Sequence, residues 1–197
     1  MRFTTIIFVG VLSVTSPVAA QSDEPVSPDT EAPSVEPSRD SRLDTLFETL
    51  QSTSDSRVAE STERDIIEIW LESGSDTVDL LMQWSLDAME EKNYPLALDY
   101  LDRILIMQPG YAEGWNKRAT VHFLTDDYSK AIADIEQTLA LEPRHFGALS
   151  GLGTILREIG DVDRAVIAFR EALAVDPHLD SIRDALDEIE KEESKEI

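Results

Sequence analysis

Three prolines, Pro109, Pro143 and Pro177, recur at an interval of 34 residues, and so do Ala97, Ala131 and Ala165. Coincident series with one period mark an internal repeat, and a period of this length fits one helix–turn–helix unit rather than a whole domain. The stretch 112–143 shows the unit in full. Trp115, Ala119 and His122 lie three or four apart, as do Ala131, Ile135 and Leu139, so each half carries one apolar stripe of helical period. Asp126 and Asp127 interrupt the pattern between the halves, and Pro143 stops the second. Such a hairpin cannot bury both its faces alone. Its neighbours must stack on it, and an all-α chain of stacked hairpins is the expected architecture.

The residues within the period resemble the tetratricopeptide repeat, whose pattern runs Trp-x2-Leu-Gly-x2-Tyr, then Ala-x3-Phe, then Pro. The middle unit carries Trp115, Arg118, Ala119, His122, Ala131, Ile135 and Pro143 at those places. The last carries Leu149, Leu152, Gly153, Leu156, Ala165, Phe169, Ala172 and Pro177. The first is looser, with Leu81, Trp84, Ser85, Ala88, Ala97, Leu101, Ile104 and Pro109. The resemblance implies a right-handed α-solenoid with three repeats at about 78–111, 112–145 and 146–179, within a repeat region spanning 74–179. Helices are predicted near 76–91, 94–107, 111–124, 128–141, 145–159 and 162–175. Trp115 is expected as a buried anchor between hairpins, and Ala131 at a helix crossing. Arg118, in place of the family leucine, is expected to turn its charge outward.

The flanks read differently. Residues 1–20 have Arg2, an apolar run from Ile6 to Val14 and then Val18-Ala19-Ala20, the pattern of a secretory signal peptide cleaved after Ala20. The apolar run is shorter than the roughly 20 residues that cross a bilayer. Residues 21–40 hold four prolines and six acids with almost no large apolar side chain, and are expected to be a disordered tether. Leu43, Leu46, Phe47 and Leu50 open a helical pattern, and Ala59, Ile66, Ile69 and Trp70 a second. Glu63 stands where the repeat wants alanine. Residues 41–73 are therefore a degenerate repeat or an N-terminal capping hairpin, either one covering the exposed end of the stack. Ile182, Ala185, Leu186 and Ile189 form a narrow stripe on a charged helix, so residues 180–197 read as a C-terminal cap with an acidic tail.

Charge limits the partners. Forty acids against 17 bases give a net charge of −23, and residues 41–179 alone hold 26 acids against 12 bases. Such a surface repels phosphate backbones and anionic lipid headgroups, which disfavours nucleic acid and direct membrane binding. A basic or neutral protein partner fits, as does a surface that is acidic for solubility alone.

Chemistry is sought and not found. The chain has no cysteine, which excludes disulfides, thiol catalysis and cysteine-ligated metal. His145 and His178 sit in equivalent turns near Glu142 and Asp176, but no close histidine pair supports a metal site there. Adjacent acids such as Glu90-Glu91 and Asp126-Asp127 lie at helix ends, where water levels their environments. No phosphate loop or nucleophile elbow is present. No enzymatic activity and no cofactor are expected.

The resemblance implies a protein-binding scaffold whose first helices line an inner groove. The face concerned carries Met82, Leu86 and Met89; then Asn116, Thr120 and Phe123, with Lys117 beside them; then Ser150, Thr154 and Arg157. Each trio is spaced by four and three residues and so shares one side of its helix. Family members that grip a C-terminal carboxylate use Lys and Asn at places held here by Met82, Leu86, Lys117, Gly147 and Gly151. Only Lys117 could serve. With the leader, the expected setting is a bacterial periplasm or the exterior. Two roles stand side by side: a scaffold that captures a peptide or helix, and an assembly component of a cell-envelope complex with no separable peptide ligand.

Overall fold

The computed structural model describes residues 37–193, and the side chains among them up to residue 192. The expected leader, most of the tether and the last residues of the tail lie outside this range. Nine helices make up the regular structure of the described residues: α1 (Arg39–Ser52), α2 (Ser56–Leu71), α3 (Asp76–Glu90), α4 (Tyr94–Met107), α5 (Ala112–Leu124), α6 (Tyr128–Leu141), α7 (Phe146–Glu158), α8 (Val162–Val175) and α9 (Asp180–Glu193). The first begins before Ser41 because Ser38 caps it, its hydroxyl accepting from the Ser41 N–H at 3.2 Å.

Helices α3–α4, α5–α6 and α7–α8 form three successive antiparallel hairpins of an α-helical repeat solenoid. Their internal turns are alike. Lys92, Asp126 and Gly160 have positive φ values of 56°, 59° and 81°, and each stands 34 residues from the next. The residue after each donates its N–H to a carbonyl five residues back: Asn93 to Ala88, Asp127 to His122, Asp161 to Leu156. Lys92, Asp126 and Gly160 themselves donate to the carbonyl three residues back, and this double closure ends the first helix of each pair. Asp127 and Asp161 then cap the second helix by accepting from the Lys130 and Arg164 N–H groups.

Small residues set the spacing between the paired helices. Ala97, Ala131 and Ala165 are fully buried, as is Ser85. At Gly153 a Cβ would fall 2.4 Å from the Phe169 ring, so only glycine lets α7 and α8 approach as they do. Ile182, Leu186 and Ile189 of α9 bury themselves against Leu156, Ala168 and Phe169, covering the last hairpin.

Two expectations within the repeats need correction. Trp115 is half-buried rather than a core anchor. Its indole N–H donates to the Pro109 carbonyl at 2.8 Å, and Arg118 lies over its ring at 4.8 Å. Arg118 does not turn outward either. Its guanidinium makes two bonds of 2.7–2.8 Å to the buried Asp134 and one of 2.7 Å to Asp102. The repeat pattern does not contain Asp134, which supplies the counter-charge that draws Arg118 in.

The α1–α2 hairpin also departs from expectation. It does not stack on the α3 end. Its apolar side, with Phe47, Leu50, Ile66 and Trp70, packs against Phe146, Val175 and Leu179. Phe146 opens α7, Val175 ends α8 and Leu179 precedes α9, so all three stand at helix ends beside the turns that follow the second and third hairpins. Polar contacts follow the same line: Tyr111 donates to the Leu71 carbonyl, Gln108 to that of Ser73, Arg144 pairs with Asp44, and His178 meets the Leu50 carbonyl. The hairpin is thus a strap along the edge formed by the three inter-repeat turns. Among the described residues no helix covers the α3–α4 end, where Leu80 and Trp84 are 48% and 44% exposed.

Candidate functional site

The first helices of the second and third hairpins, α5 and α7, flank a partly open pocket of about 170 Å³. Asn116, Ala119, Thr120 and Phe123 form its α5 wall, and Ile135 reaches in from α6. The opposite wall is Gly147, Ala148, Gly151, Thr154 and Ile155 of α7. The two glycines make the opening. A Cβ at Gly151 would meet only Ile135 Cδ1, at 3.8 Å, and one at Gly147 only the His145 ring, from 3.4 Å. Apolar groups dominate, with Phe123 held against Tyr128 at a ring separation of 6.0 Å.

The polar groups nearby have mostly spent their donors. The hydroxyls of Thr120, Ser150 and Thr154 each donate to the carbonyl one turn back, at 2.8–3.0 Å. They therefore offer acceptor lone pairs rather than free donors. Asn116 donates to Glu113 at 3.1 Å, and the Lys117 ammonium lies 2.8 Å from the other Glu113 oxygen.

Glu113 is the polar centre beneath this wall. Its carboxylate is almost fully buried and lies 2.8 Å from His145 Nε2. His145 in turn accepts the Ala148 N–H at Nδ1, capping α7, and stacks on Trp70 of the strap with ring centroids 4.1 Å apart. Burial pushes the Glu113 carboxyl up, but the His145 hydrogen bond and the Lys117 charge outweigh it and hold the carboxyl below its ordinary range. Burial also lowers the His122 imidazole, against the opposing pull of Asp134.

The residues expected along the groove are thus dispersed. Asn116, Thr120, Phe123 and Thr154 line the one pocket, and Ser150 and Lys117 lie beside it on the same helices. Met82 is 3% exposed and belongs to the core of the first hairpin, with Leu86 and Met89 partly buried against it. Arg157 is exposed and leans toward Glu188 of α9, 3.7 Å away. The glycine wall had a signal in the sequence, since Gly147 and Gly151 stand where carboxylate-gripping relatives carry polar side chains. Glu113 gave none, and His145 stood out only as a turn histidine, because neither belongs to the repeat pattern. Among the described residues no group of three or more His, Asp or Glu side chains could hold a metal ion, and no helix is long and apolar enough to cross a membrane.

Comparison with known proteins matches two tetratricopeptide-repeat profiles, one to residues 87–145 and one to residues 125–179. A TPR repeat-containing protein of Rhizobium etli is 46% identical over 136 residues, covering 69% of this chain and 67% of that relative. Among solved structures, the first TPR domain of Spaghetti (RPAP3) bound to the HSP90 peptide SRMEEVD aligns with a TM-score of 0.57 at 17% identity, covering 59% of this chain and 93% of that one. The Sgt2 TPR domain of Aspergillus fumigatus aligns with a TM-score of 0.57 at 21% identity, covering 61% and 82% of the two chains. At these identities the structures speak to the fold.

Proposed function

Because this chain belongs to the tetratricopeptide-repeat family, we propose that it is a non-enzymatic scaffold that holds a segment of another protein between α5 and α7. The observation that carries the reading is the pocket walled by Phe123 on one side and Gly147 and Gly151 on the other. A pocket of this kind, apolar with a few acceptor oxygens at its rim, suits one large apolar side chain of an extended or helical peptide. The related domain solved with SRMEEVD holds an acidic peptide. The present pocket differs, because Lys117 is already paired with Glu113. The occupant is therefore an apolar anchor on a neutral or basic segment.

Gly151→Leu tests this, since its Cβ would meet only Ile135 Cδ1, at 3.8 Å, and the larger side chain would take up space in the pocket. Cross-linking in the native host should capture a partner through the unaltered protein and lose it through Gly151→Leu, while thermal melting stays the same. Capture unchanged by the substitution would overturn the reading. We further place the protein in a bacterial periplasm or outside the cell, on the support of the charge, apolar and small-residue order in residues 1–20. Mass spectrometry of the native protein should find a chain beginning at Gln21.

A further inference from the structure

The exposed α3–α4 end carries an open depression of about 230 Å³, lined by Trp84, Asp87, Ala88, Glu91, Leu96 and Tyr100. Trp84 and Tyr100 stand with ring centroids 5.7 Å apart and planes tilted by 49°. Asp87 and Glu91 follow Trp84 by three and seven residues and so share its side of α3. Asp87 accepts a hydrogen bond from Gln83 at 2.9 Å. Among the described residues, neither carboxylate is paired with a basic side chain.

The repeat itself shows what belongs against this end. Trp84 and Tyr100 are equivalent to Arg118 and Asp134 one period later. In that second hairpin the preceding helix, α4, packs on the same face and gives Asp102 to Arg118 at 2.7 Å. Among the described residues no helix stands in the corresponding place in the first hairpin, because the strap runs along the turns instead. The missing neighbour is a helix by position. Its charge follows from the exchange: where the second hairpin offers a cation and receives an acid, the first offers aromatic faces and two acids.

We propose that this end docks an amphipathic helix of a partner protein, with an arginine of that helix entering between Trp84, Tyr100, Asp87 and Glu91. A guanidinium stacks on aromatic faces while its N–H groups reach carboxylates, a pairing that lysine matches less well. Leu80 and Leu96, 48% and 37% exposed, receive the apolar side of the same helix. A second copy of this chain would bring Asp87 and Glu91 of both molecules together, at a net charge of −23 each. The chain's own residues 21–36 carry five acids and no base, so they are repelled as well. This surface shares no residue with the α5–α7 pocket.

The test uses the full chain labelled with nitrogen-15 and a designed amphipathic helical peptide carrying one arginine beside its leucine stripe. The indole N–H resonance of Trp84, assigned by its loss in Trp84→Phe, should shift on titration. Replacing the peptide arginine by glutamine should weaken binding about tenfold, and Asp87→Asn with Glu91→Gln should weaken the arginine peptide by a similar factor. Gly151→Leu should leave the titration unchanged. Equal binding of the arginine and glutamine peptides, or a Trp84 resonance that does not move, would overturn the proposal. So would concentration-dependent self-association that moves Trp84 without peptide, since a second copy would then be the occupant.

Discussion

Glu113 Oε2 and His145 Nε2 stand 2.8 Å apart in a place where both side chains are 2–3% exposed. The contact joins α5 to the start of α7, and the stack of His145 on Trp70 extends it to the strap. Glu113→Ala would leave the His145 ring N–H and the Lys117 ammonium without their shared acceptor, so it should cost about 3–5 kcal/mol at pH 7.

Acid should narrow that difference. A carboxyl held below its ordinary value of 4.5 contributes stability that is complete above that value. The contribution is lost as pH falls through the lowered value. Urea melts of the unaltered protein and Glu113→Ala, compared at pH 7 and below pH 4.5, should therefore converge toward the acid side. Parallel curves would remove the Glu113 charge from the account.

The internal turns predict a gain. Lys92 holds φ at 56° where its counterpart Gly160 holds 81°. A lysine in that conformation costs about 1–2 kcal/mol that glycine avoids. Lys92→Gly should thus raise stability by about 0.5–1 kcal/mol, after its greater freedom when unfolded is subtracted. Gly160→Ala should do the reverse, and thermal melts of the two variants should move in opposite directions.

What could be read from the sequence was what the period imposes. Ala97, Ala131 and Ala165 recur because each hairpin needs a close crossing, and the helix spans follow from that. The strap was illegible in its placement, since Phe47 and Trp70 find Phe146, Val175 and Leu179 far along the chain, and periodicity carries no long-range pairing. The same limit applies to the groove face. Spacing puts Asn116, Thr120 and Phe123 on one side of a helix, but the burial of Met82 and the pull of Glu188 on Arg157 are set by other elements.

Gly153 is where the packing has no slack. An added methyl would begin 2.4–3.0 Å from three atoms of the Phe169 ring, itself 1% exposed. Gly153→Ala should cost about 1–3 kcal/mol through overpacking, despite alanine's better helix propensity. Combining it with Phe169→Leu should cost less than the two changes summed. Strict additivity in denaturant melts would mean that the ring is not what the methyl meets.

Asp176 offers a substitution with the opposite sign. Its residue is fully buried, one oxygen accepts the His178 N–H at 2.9 Å, and the other has no partner among the described residues. Burial raises its carboxyl above the ordinary value, and Asp176 also helps raise Glu63 on the strap, where burial is again the first cause. A raised carboxyl makes folding less favourable once it must ionise. Asp176→Asn keeps the acceptor for His178 and removes the charge, so it should stabilise the protein by about 1 kcal/mol at pH 7. The gain should shrink as pH falls and the native aspartate takes up its proton. A loss of stability at neutral pH would show that the ionised form is the one this site holds.

The Arg118–Asp134 pair distinguishes a structural charge from a removable one. Restoring the family residue by Arg118→Leu looks conservative by sequence, yet it would leave Asp134, with a side chain only 6% exposed, without its cation. His122 cannot replace Arg118, because burial keeps its imidazole below the ordinary value and it stands 3.8 Å from Asp134. The single substitution should therefore cost about 3–5 kcal/mol. Adding Asp134→Leu removes the stranded carboxylate and gives the second hairpin an apolar pair in place of an ionic one, as Trp84 and Tyr100 do in the first. The double variant should recover most of the loss, and a double-mutant cycle from denaturant melts should report a coupling of about 2–3 kcal/mol. Additive losses would mean that Arg118 acts through its stacking on Trp115, 4.8 Å away, and not through Asp134.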